Sequence, residues 1–430
     1  MIKLQNIKNS TISRRIISLL KYYFILRVPI QKQRANRIIR RIKKKRKAKV
    51  AFIVSSLGMW RCQGLLERLN RDARFDINIL ISPFQSYAEE SRIAEIQKLS
   101  NHFSDNKDKC IIVTDELNFI KWKKEFKPDI LIYQQPYDGL YRNQIDWEHN
   151  RDCLIAYVPY FLALTAQWWS NNLPFHNLIW KHYLPSDFHR DCARKIAING
   201  GENIVVVGDP RADDFINNNI TENPWKSIND GHKRKKIIWA PHFQLATEGV
   251  TFSRPDFLWV SLCMVELAKN LKEKIQIAFK PHPKLKSKLY EHPDWGKEKT
   301  DNFYEFWASQ PNTQIEEGEY INLFKTSDAI IHNCGSFTAE YLYTYKPAAY
   351  TIKDEESLRH GMHTFGQRCV DGYYIIQNKT DLEKFINECV ITEKDPLKEV
   401  RITIFNEILK TPGNNTFADN VYQDFVKSLF

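Results

Sequence analysis

The sequence predicts an α/β protein of two Rossmann-like domains with parallel sheets, preceded by a basic amphipathic helix, and three observations carry that expectation. From Val50 onward, short continuously apolar runs alternate with helical stretches, the pattern of parallel strands covered on both faces. The series breaks at a charged, turn-forming stretch over 223–236, NPWKSINDGHKRKK, and then restarts. Ahead of the first strand, residues 1–49 hold 17 Lys or Arg and no Asp or Glu; the remainder has 46 basic residues against 51 acidic, a net of −5 within an overall +12.

A length of 430 residues suits two or three domains, and with 43% hydrophobic and 13% aromatic residues the chain can fill a core for each. The 15 Gly and 18 Pro are too few for a collagenous or low-complexity chain. A mean hydropathy of −0.48, with no run of about 18 apolar residues, predicts no spanning helix. The expected division is a basic membrane-associating arm over 1–48, a first Rossmann-like domain over 49–225, a second Rossmann-like domain over 226–395 and a helical C-terminal segment over 396–430.

The arm is justified by 11–29. Ile12, Ile16, Leu19, Leu20, Phe24 and Val28 fall near one side at helical spacing, with Arg14, Arg15, Lys21 and Arg27 elsewhere on the wheel. Pro29 is expected to close this helix, and a second basic run follows from Arg40 to Lys47. Each Lys or Arg near an anionic leaflet contributes roughly 1 kcal/mol. The arm therefore predicts peripheral attachment to an anionic membrane surface through residues 1–48, on the cytoplasmic face; a solvated helix packed on its own domain is the competing reading. No RRM, KH or helix-turn-helix signature accompanies the charge, so no nucleic-acid partner is expected. The eight cysteines are never closer than 20 residues, which excludes zinc-ribbon and CxxC spacing. No metal and no cofactor are expected, and thiols inside apolar runs such as 153–156 fit a reducing cytosol.

Strands are expected at 50–54, 77–81, 111–113, 129–133, 154–158 and 204–207, and after the break at 237–240, 275–279, 328–331 and 348–352. Ligands of such sheets bind beyond the carboxyl ends of the strands, and GxGxxG and GxxxxGK[ST] are both absent. Pro241, His242, Phe243 and Gln244 follow the strand at 237–240. After 275–279 come Lys280, Pro281, His282 and Pro283, where two prolines fix the backbone around an imidazole and Lys280 supplies a cation; a core His bonded to backbone is the alternative. The stretch 330–342 is a strand passing through a Gly-Ser turn into a helix. Backbone N–H groups of Gly335, Ser336, Phe337 and Thr338 at that helix start suit an anion. A plain N-cap at Ser336, with Thr338 and Glu340 solvated, is compatible with the same end binding a ligand. Lys353 to Glu356 read as an exposed charged loop. In the first domain, Ser56, Tyr137 and Tyr160 are strand-end candidates for lining a ligand cleft or for packing at a domain interface, with His176 and His189 weaker.

The stretch from Ser327 and Asp328 through His332-Asn333-Cys334-Gly335-Ser336 to Glu340 and Lys346-Pro347, with Lys280-Pro281-His282-Pro283 and Trp239-Ala240-Pro241, resembles the CDP-glycerol glycerophosphotransferase family of wall teichoic acid and capsule synthesis. There a Ser-Asp strand leads to a Thr-Asp-Tyr-Ser-Ser turn, an acidic helical residue and a basic-Pro pair, and an upstream Arg-Pro-His-Pro holds the donor diphosphate. The resemblance implies a GT-B-like fold of two facing domains, donor in the second and acceptor against the first. It implies that Lys280, His282 and Ser336 contact the donor phosphates, and it puts Glu340 at the acidic position. His332, Asn333, Cys334 and Gly335 stand in place of Thr, Asp, Tyr and the first Ser; Lys280 replaces Arg; His242 stands where Thr is common. The first domain lacks the family's His-Gly-Thr-Pro, its corresponding strand end being 157–161, so the base is not carried over. His242 is instead expected to be the general base, with His282 the second catalytic group.

The reaction implied is attack by an acceptor hydroxyl on the distal phosphorus of a CDP-alcohol, CDP-glycerol first among them, with release of CMP. The acceptor would be a lipid-linked glycan or polyol phosphate, and the product a capsule or teichoic-acid-like polymer. A GT-B glycosyltransferase using a nucleotide sugar would employ the same phosphate-binding residues. A noncatalytic membrane-recruited binding protein would need the arm alone.

Overall fold

The computed structural model describes residues 11–137, 139–164, 172–216, 223–245 and 256–430, with side chains of the first helix from Leu26 onward. The chain divides into two compact units: the described parts of Met1–Phe161, Gln167–Asp213 and Thr411–Phe430 form one, and those of Leu162–Ala166 and Asp214–Lys410 the other.

The first unit holds a seven-stranded sheet of β1 (Ala48–Val54), β2 (Phe75–Ile81), β3 (Cys110–Ile112), β4 (Ile130–Tyr133), β5 (Leu154–Tyr157), β6 (Lys181–Leu184) and β7 (Ile204–Val206) in the order β3-β2-β1-β4-β5-β6-β7, every pair parallel. Both faces are apolar because the strands are covered on both sides. Val50, Phe52 and Val54 enter one core cluster, while the alternate residues Ala51 and Ile53 enter another with Leu131, Tyr133 and Ile155. The C-terminal helix Phe417–Leu429 returns to this unit, burying Phe417, Val421, Phe425 and Leu429 at four-residue spacing in the first cluster.

The second unit holds a six-stranded sheet of β8 (Lys235–Ala240), β9 (Ile275–Phe279), β10 (Thr313–Ile315), β11 (Ala329–His332), β12 (Ala348–Thr351) and β13 (Tyr374–Ile376) in the order β10-β9-β8-β11-β12-β13, again wholly parallel. Trp239 stacks on Phe257 at 5.9 Å and Phe279 at 4.8 Å, and meets Trp307 at 5.2 Å. This aromatic block locks the last residues of β8 and β9, so the loops leaving them start from fixed points. In each sheet the strand order reverses between two central strands, β1 and β4 in the first, β8 and β11 in the second, which is where ligands settle in doubly wound sheets.

Three strands were not anticipated. β10 (Thr313–Ile315) and β13 (Tyr374–Ile376) are three-residue strands at opposite edges of their sheet, too short to leave an apolar run. β6 opens with Lys181 and His182, yet His182 is buried against Tyr157 at 5.2 Å.

The first helix, α1 (Thr11–Lys45), does not stop at Pro29 but runs through it, ending before Arg46 at φ 51°. Pro29 is exposed, so water reaches the carbonyl that loses its amide partner. The far half of the helix is anchored: Ile38 and Ile42 are buried in the β1 cluster, with Ala35 and Ile39 packed beside them. The apolar side expected from Ile12, Ile16, Leu19, Leu20 and Phe24 lies outside the described side chains. No helix among the described residues is long and apolar enough to cross a membrane.

His176 and His182 sit with ring centroids 4.9 Å apart against Tyr157, and neither Nε2 has a partner. Burial pushes His176 down to about 3 and His182 well below its ordinary value. Their folded-state values lie below the unfolded one, so the unfolded chain binds protons first as pH falls, and stability drops from about pH 6.5 downward. At pH 5 the cost for His176 is about 2 kcal/mol, and His182 adds to it in the same direction. Melting curves at pH 7.5 and 5 should show this loss, and His182→Phe should shrink the difference.

Candidate functional site

The site grows from the three strand ends of the second sheet. β8 ends at Ala240 and hands the chain to Pro241 and His242; β11, its neighbour across the order reversal, ends at His332 and hands it to Asn333. Asn333 is 1% exposed, and its Oδ1 accepts the His242 backbone N–H at 2.7 Å, tying the two loops across the crevice. The Cys334 thiol adds a contact to the Ala240 carbonyl at 3.3 Å, and the Tyr350 hydroxyl donates to the Asn333 carbonyl at 3.1 Å. On the other side, the His282 N–H donates to the Pro241 carbonyl at 3.1 Å. The rings of His242 and His282 are therefore 5.1 Å apart, with Phe243 4.5 Å from His282. His242, His282 and the turn from Asn333 into Gly335 and Ser336 thus share one end of one sheet.

Both rings are oriented by the backbone. Nδ1 of His282 accepts the Lys284 N–H at 3.1 Å, and Nδ1 of His242 accepts the Gln244 N–H at 3.3 Å. In each neutral ring the hydrogen then resides on Nε2, which becomes a donor. Desolvation, helped by the Lys284 charge, pushes His282 down to about 4, so it is neutral at physiological pH. A ring whose Nδ1 accepts a backbone N–H is held in one orientation, with Nε2 as its donor when the ring is neutral.

The cation is also differently placed. Lys280 is 8% exposed; its Nζ donates to the Gly318 carbonyl at 2.7 Å and lies 5.7 Å from the Tyr320 ring centre. Burial lowers its pKa against the opposing pull of Glu316 and Glu319. The loop after β10 was missed because β10 itself was missed; its Glu-Glu-Gly-Glu-Tyr sequence was the available signal.

The turn into the helix departs from the expected cap. Ser336 is exposed, has right-handed helical φ/ψ and makes no side-chain cap bond. Thr338 and Glu340 are buried rather than solvated: Thr338 Oγ1 donates to the Cys334 carbonyl at 3.0 Å, and the Tyr320 hydroxyl donates to the Glu340 carboxylate. Phe337 packs at 4.9 Å on Tyr320 and 5.0 Å on Phe324. The helix is only Phe337–Glu340 before a 3₁₀ turn, so its aligned dipole is small and the exposed Ser336 hydroxyl is the clearer anion contact. Asp354, in the charged stretch read as a loop, caps the helix Glu355–His360 by accepting the Ser357 N–H at 3.1 Å.

In the first unit, Ser56 follows β1, Tyr137 follows β4 and Tyr160 follows β5, all at the strand-end edge of that sheet. Tyr137 and Tyr160 are partly buried, and desolvation raises both phenols. Arg61, not singled out from the sequence, lies among them: its N–H donates to Gln134 Oε1 at 2.7 Å and its Nε to the Tyr160 carbonyl at 3.1 Å. His176 belongs to the buried pair above, and His189 is bonded to Ser186 in a helix cap, so neither joins a strand-end site. Among the described residues no group of three His, Cys, Asp or Glu could hold a metal.

Two units, each built on a wholly parallel Rossmann-like sheet, place the chain in the GT-B-like α/β fold class. The structure of S. aureus MnaA with UDP shares 14% identity with this chain, covering 89% of it and 98% of that chain at a TM-score of 0.55. The Neisseria meningitidis UDP-GlcNAc 2-epimerase bound to UDP-GlcNAc shares 12%, covering 88% and 100% at 0.57, and the wall teichoic acid polymerase TagF, H444N variant, 11%, covering 96% and 99% at 0.58. No curated protein matches in sequence. The family model CDP-Glycerol:Poly(glycerophosphate) glycerophosphotransferase matches residues 180–409, just over half of the chain. The protein belongs to that family and is a transferase of the glycerophosphotransferase type, as the resemblance implied.

Asn333→Ala should uncouple the two loops, lowering kcat about tenfold to a hundredfold with a stability loss of about 1 to 2 kcal/mol. Asn333→Asp, which keeps an acceptor, should recover part of both in turnover and urea-melt measurements.

Proposed function

We propose that this enzyme transfers a polyol phosphate from a CDP-alcohol, CDP-glycerol in the first instance, to a hydroxyl of a glycan or polyol-phosphate acceptor, releasing CMP during synthesis of a cell-surface polymer. The observation that supports the reading is the His242–His282 pair at the order reversal, its rings 5.1 Å apart, with His242 tied to Asn333 and His282 to the Pro241 carbonyl, and with each Nδ1 accepting a backbone N–H.

Phosphoryl transfer leaves little covalent chemistry to the protein; positioning and electrostatic stabilisation dominate. A diphosphate set against this sheet end receives hydrogen bonds from His242 Nε2, His282 Nε2 and the Ser336 hydroxyl. The backbone at Gly335, Phe337 and Thr338 shapes the floor on which the distal phosphate rests, and Lys280 adds charge from behind. As the bond to CMP breaks, negative charge grows on the bridging oxygen, and the two imidazole donors meet it without reorganising. The acceptor hydroxyl passes its proton late in such a loose transition state, to a non-bridging oxygen of the transferred phosphate and from there to water, so the chain's main contribution is alignment. Ser56, Tyr137 and Tyr160, at the strand ends of the first sheet, supply hydroxyls suited to a polyol or glycan acceptor. The arm over 1–48, with Leu26 and Ile30 exposed beside its arginines and lysines, is suited to a peripheral hold on an anionic, cytoplasm-facing membrane where a lipid-linked acceptor would sit.

Incubation with CDP-glycerol, CDP-ribitol, UDP-sugars and CMP-sugars should release CMP from a CDP-alcohol; turnover with a sugar nucleotide alone would refute the reading. His282→Ala should lower kcat by 10² to 10³, about 2.7 to 4 kcal/mol. The donor KM should stay flat from pH 6 to 8, since His282 gains its proton only near pH 4. Deleting residues 1–25, which spares the packed Ile38 and Ile42, should abolish co-flotation with phosphatidylglycerol vesicles while leaving turnover of a soluble acceptor intact.

A further inference from the structure

The cations of the far half of α1 form one wall of a groove. Arg34, Arg37, Arg41 and Lys45 recur every three or four residues, so they form a row on one side of the helix with steps of about 4.5 to 6 Å. The opposite wall is the end of the helix Glu116–Phe126 with the segment that follows it, carrying Lys123, Lys124 and Lys127. Between the walls lie two cavities of about 620 and 710 Å³ that share Lys123, His149 and Asp152 and so form one channel.

Two of these cations are held by carboxylates: Arg41 reaches Asp129 at 2.6 Å and Lys123 reaches Asp152 at 2.7 Å. Those pairs brace the walls. Arg37, Lys45, Lys124 and Lys127 are exposed and have no carboxylate partner among the described residues. The channel therefore has surplus positive charge on a body that is otherwise acidic.

Its place in the fold is informative. Asp129 precedes β4, Asp152 precedes β5 and α1 leads into β1, so the channel runs along the edge where those strands begin. Ser56, Tyr137 and Tyr160 lie where the same strands end, some 20 Å away along the seven residues of β1. A groove with cations along both walls offers an extended polyanion contacts on two sides, whereas a flat leaflet meets only its rims. The steps between successive α1 cations are comparable with the phosphate repeat of a three-carbon polyol phosphate chain.

We propose that this channel is a binding site for a poly(polyol phosphate) chain, holding an already polymerised part of acceptor or product on the first unit, away from the strand-end residues. The proposal rests on the transferase reading for the identity of the polyanion, but its binding is measured without donor or turnover. Titration with a defined poly(glycerol phosphate) oligomer of about ten units should give affinity that falls steeply with salt, with a log–log slope near −3 for four neutralised phosphates, while glycerol 3-phosphate binds at least a hundredfold more weakly. The combined variant Arg37→Glu, Lys45→Glu and Lys124→Glu, all at exposed positions, should lose oligomer affinity at least tenfold while keeping its melting temperature and its rate on a single-unit acceptor. Unchanged oligomer binding in that variant overturns the proposal. So does equal affinity for single-stranded DNA of the same charge, or a variant that loses only phosphatidylglycerol vesicles. Oligomer binding lost in the variant, with CDP-glycerol never consumed by the parent protein, would leave the channel standing and refute the transferase reading.

Discussion

The arrangement of the donor-side residues hangs on the hydrogen bond from the His242 backbone to Asn333 Oδ1. Parallel sheets bring strand ends to a common edge but leave the loops beyond them free to diverge. At the point where the strand order reverses, the chain leaves β8 on one side and β11 on the other, and a crevice opens there by topology alone. A buried amide that bridges it turns the crevice into a site of fixed width. Such a bond contributes about 1 kcal/mol net, yet breaking it strands a buried acceptor and releases the loop that carries His242. The aromatic block of Trp239, Phe257, Phe279 and Trp307 supplies the matching rigidity one residue earlier in each strand.

The central strands and the order of the two halves were legible because each strand is a continuous apolar run, a direct consequence of burial on both faces. The edge strands β10 and β13 were not, since three residues leave no run to read. The loss of β10 hid the acidic loop that receives Lys280. The convergence of the loops after β8, β9 and β11 was readable from strand-end logic. The orientation of the rings was not: it depends on whether a neighbouring N–H happens to reach Nδ1, which only backbone geometry decides. Pro29 misled for a similar reason. Its cost falls on one hydrogen bond, and whether the helix survives depends on what anchors the residues beyond it, here Ile38 and Ile42.

The uneven charge of the chain follows the division of labour within the first sheet. Cations gather on α1 and on the helix opposite it, at the edge where β1, β4 and β5 begin, and the carboxylates nearest them, Asp129 and Asp152, are spent on bracing. Hydroxyls and amides gather at the other edge. A single sheet thereby carries cations at one end and hydroxyls and amides at the other, separated by the length of its strands.

The donor-side site, by contrast, is poor in fixed charge. Lys280 is turned toward a carbonyl and depressed by burial, and burial holds His282 neutral, while each histidine ring is oriented by a backbone N–H at Nδ1. If the site takes a nucleotide diphosphate, as proposed, a cluster of permanent cations would bind the intact donor and the departing nucleotide about equally well, which deepens the ground state and slows release without lowering the barrier. Neutral donors in a partly desolvated crevice interact most strongly where charge is growing, because their dipoles are already oriented and the surrounding medium screens them weakly. On the proposed reading, Lys280 in place of the family motif's arginine and His242 where threonine is common would shift the balance in that direction, from holding the donor toward meeting the charge that develops as it breaks.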